Sequence, residues 1–217
     1  MFKKILREFL LLFILFLIVI LAVAIYKAPC APSKFPVHWN AAGQIDGWGS
    51  KTFVVLFFPL MAIGFYFLMM LFPKIDPLKK NYPSFEGAYY IIRLWLMVLL
   101  GLIFVLTFLA GWGFNINPGP PLIILISLLM IVLGFALPKV KQNYFFGIRT
   151  PWALHSEKNW DKTHQWASKI FVLGGLLAML AVFLPVPSNF WAFIIIILGA
   201  SLAPVVYSYL IFRQKGD

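Results

Sequence analysis

The sequence predicts an all-α polytopic membrane protein with six transmembrane helices and both termini in the cytoplasm. Three observations lead there. Hydrophobic residues make up 62% of the 217 residues and charged residues only 12%, against roughly 25% charged in a soluble domain. That much apolar surface cannot be hidden in one water-soluble core of this size. Several apolar runs approach or exceed the roughly 18 residues that mark a spanning helix. The basic residues gather in alternate connections, as the positive-inside rule requires.

The first span is 9–26. Lys3, Lys4 and Arg7 before it give the outline of a signal peptide, and Ala22-Val23-Ala24 has a small-x-small form. That triplet lies inside the run, however, and the run of 18 residues exceeds the roughly 7–15 of an ordinary h-region. An uncleaved first helix is expected. A loop over 27–51, with Pro, Gly, Asn and Asp, leads to span two, 52–72. Pro59 removes a backbone donor there and is expected to kink the helix. A basic loop, 73–87, precedes span three, 88–111, where Arg93 is placed to snorkel to the surface. A turn over 112–120 leads to span four, 121–137. The polar segment 138–166 precedes span five, 167–184. The connection 185–189 leads to span six, 190–212, and a tail, 213–217. Fifteen of the 18 Lys and Arg residues fall on the side of the termini. Lys27, Lys34 and Lys51 are the three on the other. Trp39, Trp48, Trp112, Trp152, Trp160, Trp166 and Trp191 fall in loops or near span ends, where an indole N–H stays wet.

No separate soluble domain is visible. The chain divides into a two-span unit, 1–72, and a four-span unit, 73–217. Gly174/Ala178 and Gly199/Ala203 have the spacing that lets membrane helices approach closely, although small residues are also simply common in such helices.

The net charge of +11 follows membrane topology, so no direct nucleic-acid partner is expected and membrane lipid is. The single cysteine, Cys30, excludes an internal disulfide. The acidic residues all lie in loops or at span ends, which argues against ion-coupled transport and against a membrane carboxylate enzyme. No catalytic residue, metal or cofactor is expected.

Two loops carry the distinctive side chains. On the outer side, His38, Trp39, Asn40, Gly43 and Asp46 stand within 35–51. Asn40, Gly43 and Asp46-Gly47 are turn formers, so the loop should be compact. Two readings fit it: an interfacial turn with Trp anchors and a hydrogen-bonded His, or a surface that binds a peptide or head group. On the inner side, 143–152 reads as a bent, extended stretch. Gly147 supplies an unusual backbone angle, and Pro151 restricts Thr150. A helix is expected to start near Ser156 as N-cap, with Glu157 in its first turn. Trp160, Thr163 and His164 share the face that runs into span five. Arg149 is expected to clamp Glu157 or Asp161. His155 and His164 do not share a helix face, and nothing orients a Ser156–His164 pair, so neither zinc binding nor hydrolysis is supported. The segment is either a stapled interfacial element or a partner site.

Two motifs carry a family resemblance. Pro36-x-His38-Trp39-Asn40-x-x-Gly43-x-x-Asp46-Gly47-Trp48-Gly49-x-Lys51, after a first span, resembles the N-terminal membrane domain of unknown function found in SdpI-type proteins. Asn143-Tyr144-x-Phe146-Gly147-Ile148-Arg149-Thr150-Pro151-Trp152, continuing through Ser156, Glu157, Trp160, Thr163 and His164, resembles the signature of the SdpI family itself. Gln165 and Ser168 depart from it, where a basic residue and Gly are expected. The resemblance implies a bacterial cell-membrane immunity protein. Such a protein protects its producer from a secreted membrane-active peptide and holds a cytoplasmic transcriptional repressor at the membrane. From the residues alone, a facilitator or channel for a small solute is the alternative.

Overall fold

The computed structural model describes residues 2–215; Gly216 and Asp217, assigned above to the tail, lie outside the described residues. Six helices are long and apolar enough to cross a membrane. They contain α1 (Phe2–Lys27), α2 (Lys51–Ile75), α3 (Glu86–Gly111), α4 (Gly119–Ala136), α6 (Glu157–Leu180) and α7 (Ser188–Lys215). All six start before their predicted spans; α1, α2 and α7 also end beyond them, whereas α4 and α6 end at Ala136 and Leu180, short of the predicted 137 and 184, and pass into 3-10 turns. α2 runs through Pro59 without a break.

Two features depart from the sequence reading. The loop 27–51 contains a two-stranded antiparallel hairpin, β1 (Lys34–Trp39) and β2 (Ile45–Ser50). Residues 151–155, partly read as extended, form a short helix, α5 (Pro151–His155). Thr150 caps it by accepting from the Ala153 N–H at 3.1 Å. Pro151 sits at its first position, where the missing N–H costs nothing. The proline thus starts a helix rather than prolonging an extended run.

The chain forms two compact units. One runs from the N-terminus to Met70 and resumes over Arg93–Gly119; the other comprises Leu71–Ile92 and everything from Pro120 onward. In the first, α1 is buried along one narrow stripe, Leu11, Ile18, Ala22 and Ile25. Phe9, Leu12, Phe13 and Phe16 stay exposed, as expected of a helix bathed in lipid. α2 presents Val54, Phe58, Ala62 and Tyr66 inward, one every turn. Phe58 stacks on Phe104 of α3 with ring centroids 4.9 Å apart.

The hairpin is anchored in this unit. Phe35 is fully buried, its ring 5.7 Å from that of Trp112. It lies over Gly111, where a Cβ would fall 2.2 Å from the Phe35 ring. Asn40 shapes the turn: its Oδ1 accepts from the N–H groups of Ala42 (2.9 Å) and Gln44 (3.1 Å). Gly43 takes φ +73°, a region that L side chains avoid.

In the second unit, glycines let helices meet. A Cβ on Gly134 of α4 would lie 2.9 Å from the Ser168 carbonyl of α6. One on Gly175 of α6 would lie 2.7 Å from the Ser127 carbonyl of α4, and one on Gly174 2.6 Å from Ala200 of α7. Gly174 therefore acts as its spacing suggested. Gly199 has open space in front of it; the α7 contact is made by Ala200, one residue on.

Candidate functional site

The hairpin presents a small polar and aromatic surface. His38 Nδ1 and Asp46 Oδ1 are 2.5 Å apart across the strands, with side chains 70% and 44% exposed. Gly47 pairs with His38 in the register. A Cβ on Gly47 would lie 2.8 Å from that of His38, so the glycine leaves the room in which the His–Asp pair forms. Trp48, Ile45 and Val37 are exposed. The hairpin thus separates the predicted residues by role. His38 and Asp46 are outward groups, Asn40 and Gly43 build the turn, and Trp39 has a buried indole N–H without a partner among the described residues.

The polar segment of the second unit is built from reciprocal hydrogen bonds. Asn143 is fully buried and closes its own turn. Its Oδ1 accepts from the Phe145 and Phe146 N–H groups at 3.0 and 2.6 Å. Its Nδ2 donates to the Lys141 and Phe146 carbonyls at 2.9 Å. Asp76, only 1% exposed, accepts from the Leu78 N–H (2.7 Å), the Tyr82 hydroxyl (3.0 Å) and the Tyr144 N–H (2.9 Å). It pins the segment to the end of α2, where Phe72 and Phe145 also stack at 4.3 Å.

Gly147 passes directly over His164. Its φ is +108°, and a Cβ would lie 2.5 Å from His164 Nε2. The Ile148 N–H donates to that nitrogen at 3.1 Å. An amide N–H only donates, so Nε2 carries the lone pair and the proton sits on Nδ1. Nδ1–H donates to the Trp160 carbonyl at 2.8 Å. Trp160, fully buried, stacks on His164 at 4.1 Å and donates its indole N–H to the Val140 carbonyl at 2.8 Å.

A buried hydroxyl–amide network joins α5, α6 and α7. Ser208 donates to Asn159 Oδ1 at 2.9 Å, and Thr163 donates to the same oxygen at 3.0 Å. With its proton so committed, Ser208 accepts from the Thr150 hydroxyl at 2.6 Å. Asn159 Nδ2 donates to the Ser208 carbonyl at 3.0 Å. Every partner here is satisfied internally, which fixes the packing.

The structure bears out the Ser156 cap: its hydroxyl accepts from the Asn159 N–H at 3.3 Å, with Glu157 in the first turn. It corrects the Arg149 clamp. Arg149 donates to the Tyr144 carbonyl at 2.8 Å, and Asp161 lies 3.9 Å from Lys141 instead. The α5 turn takes up the chain between Arg149 and α6, so Arg149 folds back on its own loop. Trp152 packs against Tyr209 and Phe212 of α7. Asn143, Gly147, Thr150, Trp160, Thr163 and His164 are therefore brought together as a closed scaffold. Arg149, Pro151 and Glu157 remain at its exposed rim. Asp76, Asn159 and Ser208 belong to this scaffold, as does Gln142, whose Nε2 donates to the Ala153 and Leu154 carbonyls at 2.9 and 2.8 Å; no local pattern marks a side chain whose partners lie elsewhere in the chain.

In the first unit the structure also corrects Arg93. It does not snorkel: it is 9% exposed, and its two terminal nitrogens fork onto the Glu8 carboxylate at 2.5 and 2.8 Å.

These features define a class: a multi-pass helical membrane protein with a structured hairpin and a hydrogen-bonded polar segment. Comparison with known proteins shows what the chain is similar to. Residues 139–208 match the SdpI/YfhL protein family, and residues 14–63 match a domain of unknown function, DUF1648. The chain is therefore similar to SdpI-type proteins over these residues. The chain is 22% identical over 183 residues to the "Immunity protein SdpI" of Bacillus subtilis (strain 168), covering 84% of this chain and 86% of that protein. No solved structure matches.

Proposed function

We propose that this chain is a membrane immunity protein that protects its cell from a secreted membrane-active peptide by binding it. The observation that carries this reading is the similarity to Immunity protein SdpI over 84% of the chain, a stretch long enough to include both distinctive segments. The hairpin is the recognition element in this reading. It offers an exposed His–Asp pair beside exposed Trp48 and Ile45, which suits a peptide with both polar and apolar side chains. Its anchoring by Phe35 lowers the ordering cost of binding. Protection works by capture, not chemistry: His164, the buried imidazole, has both ring nitrogens committed to backbone groups.

Both termini lie in the cytoplasm in this account, on the strength of the basic-residue distribution. The polar segment then faces the cytoplasm, and its rim residues Arg149 and Glu157, with Tyr144, form the surface for a regulator held at the membrane. Deleting the gene should sensitise the cell to the peptide, and restoring the gene should reverse this. Equal survival of deleted and intact strains against every peptide tested would remove the immunity reading. Loss of regulator recruitment in Arg149→Ala, with protection intact, is the expected sign of the second role; recruitment unaffected by that change would remove the rim as its site.

A further inference from the structure

We propose that Glu8, Arg93 and Tyr66 form a latch at the edge of the apolar spans that sets the depth and rotation of α1 and so positions the hairpin at α1's other end. Arg93 and Glu8 are positioning residues in this account. The guanidinium forks onto both carboxylate oxygens, the strongest geometry available to such a pair. The Tyr66 hydroxyl donates to Glu8 Oε2 at 3.3 Å, and the guanidinium lies 5.5 Å from the Tyr66 ring centroid. The three side chains come from α1, α2 and α3. Glu8 lies six residues into α1 and Arg93 seven into α3. At 1.5 Å per residue both stand about 10 Å inside their helix ends. Glu8 directly precedes the apolar run 9–26 and Arg93 stands five residues into 88–111, so the pair lies near the edge of the apolar spans.

The reason α1 needs a latch is its surface. Between residues 9 and 26 only a narrow stripe of it is buried, and the exposed residues there are apolar. Lipid offers no hydrophobic force to hold one apolar helix on another. A slide of α1 by one turn, about 5.4 Å, exchanges one set of aliphatic contacts for another. It also leaves the buried Arg93 guanidinium without its carboxylate, so the ion pair discriminates between registers. The far end of α1 passes the setting on. The Lys51 ammonium donates to the Ala28 carbonyl at 3.2 Å, the Lys51 N–H donates to the Ser33 carbonyl at 2.8 Å, and β1 starts at Lys34.

Cys30, exposed in this connection and the chain's single cysteine, reports the setting without engineering. The full chain would be placed in lipid nanodiscs, where both faces meet the reagent. The rate of Cys30 modification by a membrane-impermeant maleimide is then measured. Glu8→Gln and Arg93→Gln should each change that rate several-fold, and Glu8→Arg combined with Arg93→Glu should bring it back towards the unmodified protein. Where Arg93→Gln fails to accumulate, Glu8→Asp keeps the charge but shortens its reach, and should shift the rate in the same direction. An unchanged rate in Glu8→Gln or Glu8→Asp, or no recovery in the exchanged pair, overturns the proposal. One consequence alone rests on the immunity reading: Glu8→Gln should also lower protection. Protection lost at an unchanged Cys30 rate overturns the latch and leaves immunity standing. A shifted and restored rate in a chain that never protects supports the latch and removes immunity.

Discussion

Gly147 and His164 hold the polar segment by mutual proximity. The backbone must pass within reach of an imidazole nitrogen, and only a residue without a Cβ allows it. Gly147→Ala should therefore destabilise the protein by about 1–3 kcal/mol, seen as a lower Tm in detergent; an unchanged Tm would show that the loop relaxes freely. Asn159 closes a second buried network. Asn159→Leu removes the acceptor of two hydroxyls and should cost about 1–3 kcal/mol, by the same measurement. Parts of this site were legible. Gly147 and the Ser156 cap follow from local backbone rules, and both hold. The Arg149 clamp does not, because a capped proline turn intervenes that was read as extended chain. Asp76 is not marked by any local pattern, since its partner at Tyr144 lies 68 residues away. Arg93 was assigned to the surface because an isolated helix lets arginine snorkel, and nothing in the sequence places Glu8 beside it.

The hairpin stands on one plug. Phe35 fills the space over Gly111 beside Trp112, and the turn chemistry of Asn40 and Gly43 sets the rest. Phe35→Ala should cost about 3 kcal/mol and speed hydrogen exchange of the Asn40 and Lys51 amides, which bond across the hairpin's two ends. Gly111→Ala should do the same by crowding the ring, and slow exchange in both variants would deny the plug its role. The compact turn was predictable, yet the strands were not. β2 reads Ile-Asp-Gly-Trp-Gly-Ser, without the alternation that marks a half-buried strand. The long helices were the most legible elements, because apolar length alone specifies them in a bilayer.

Six helices among the described residues are long and apolar enough to cross a membrane, and the proposed orientation, with both termini in the cytoplasm, rests on the distribution of basic residues. A fluorescent protein fused after the tail should therefore glow, and alkaline phosphatase fused there should be inactive. Phosphatase inserted at Ala41 in the hairpin turn should be active, and the reverse pattern would invert the account. The most direct test is survival of a sensitive host challenged with a secreted membrane-active killing peptide. The host would express the unmodified protein, Asp46→Ala or Arg149→Ala at equal levels. The account predicts protection by the unmodified protein and by Arg149→Ala, and its loss in Asp46→Ala. Protection retained in Asp46→Ala and lost in Arg149→Ala would move recognition away from the hairpin, and no protection by the unmodified protein would contradict the account outright.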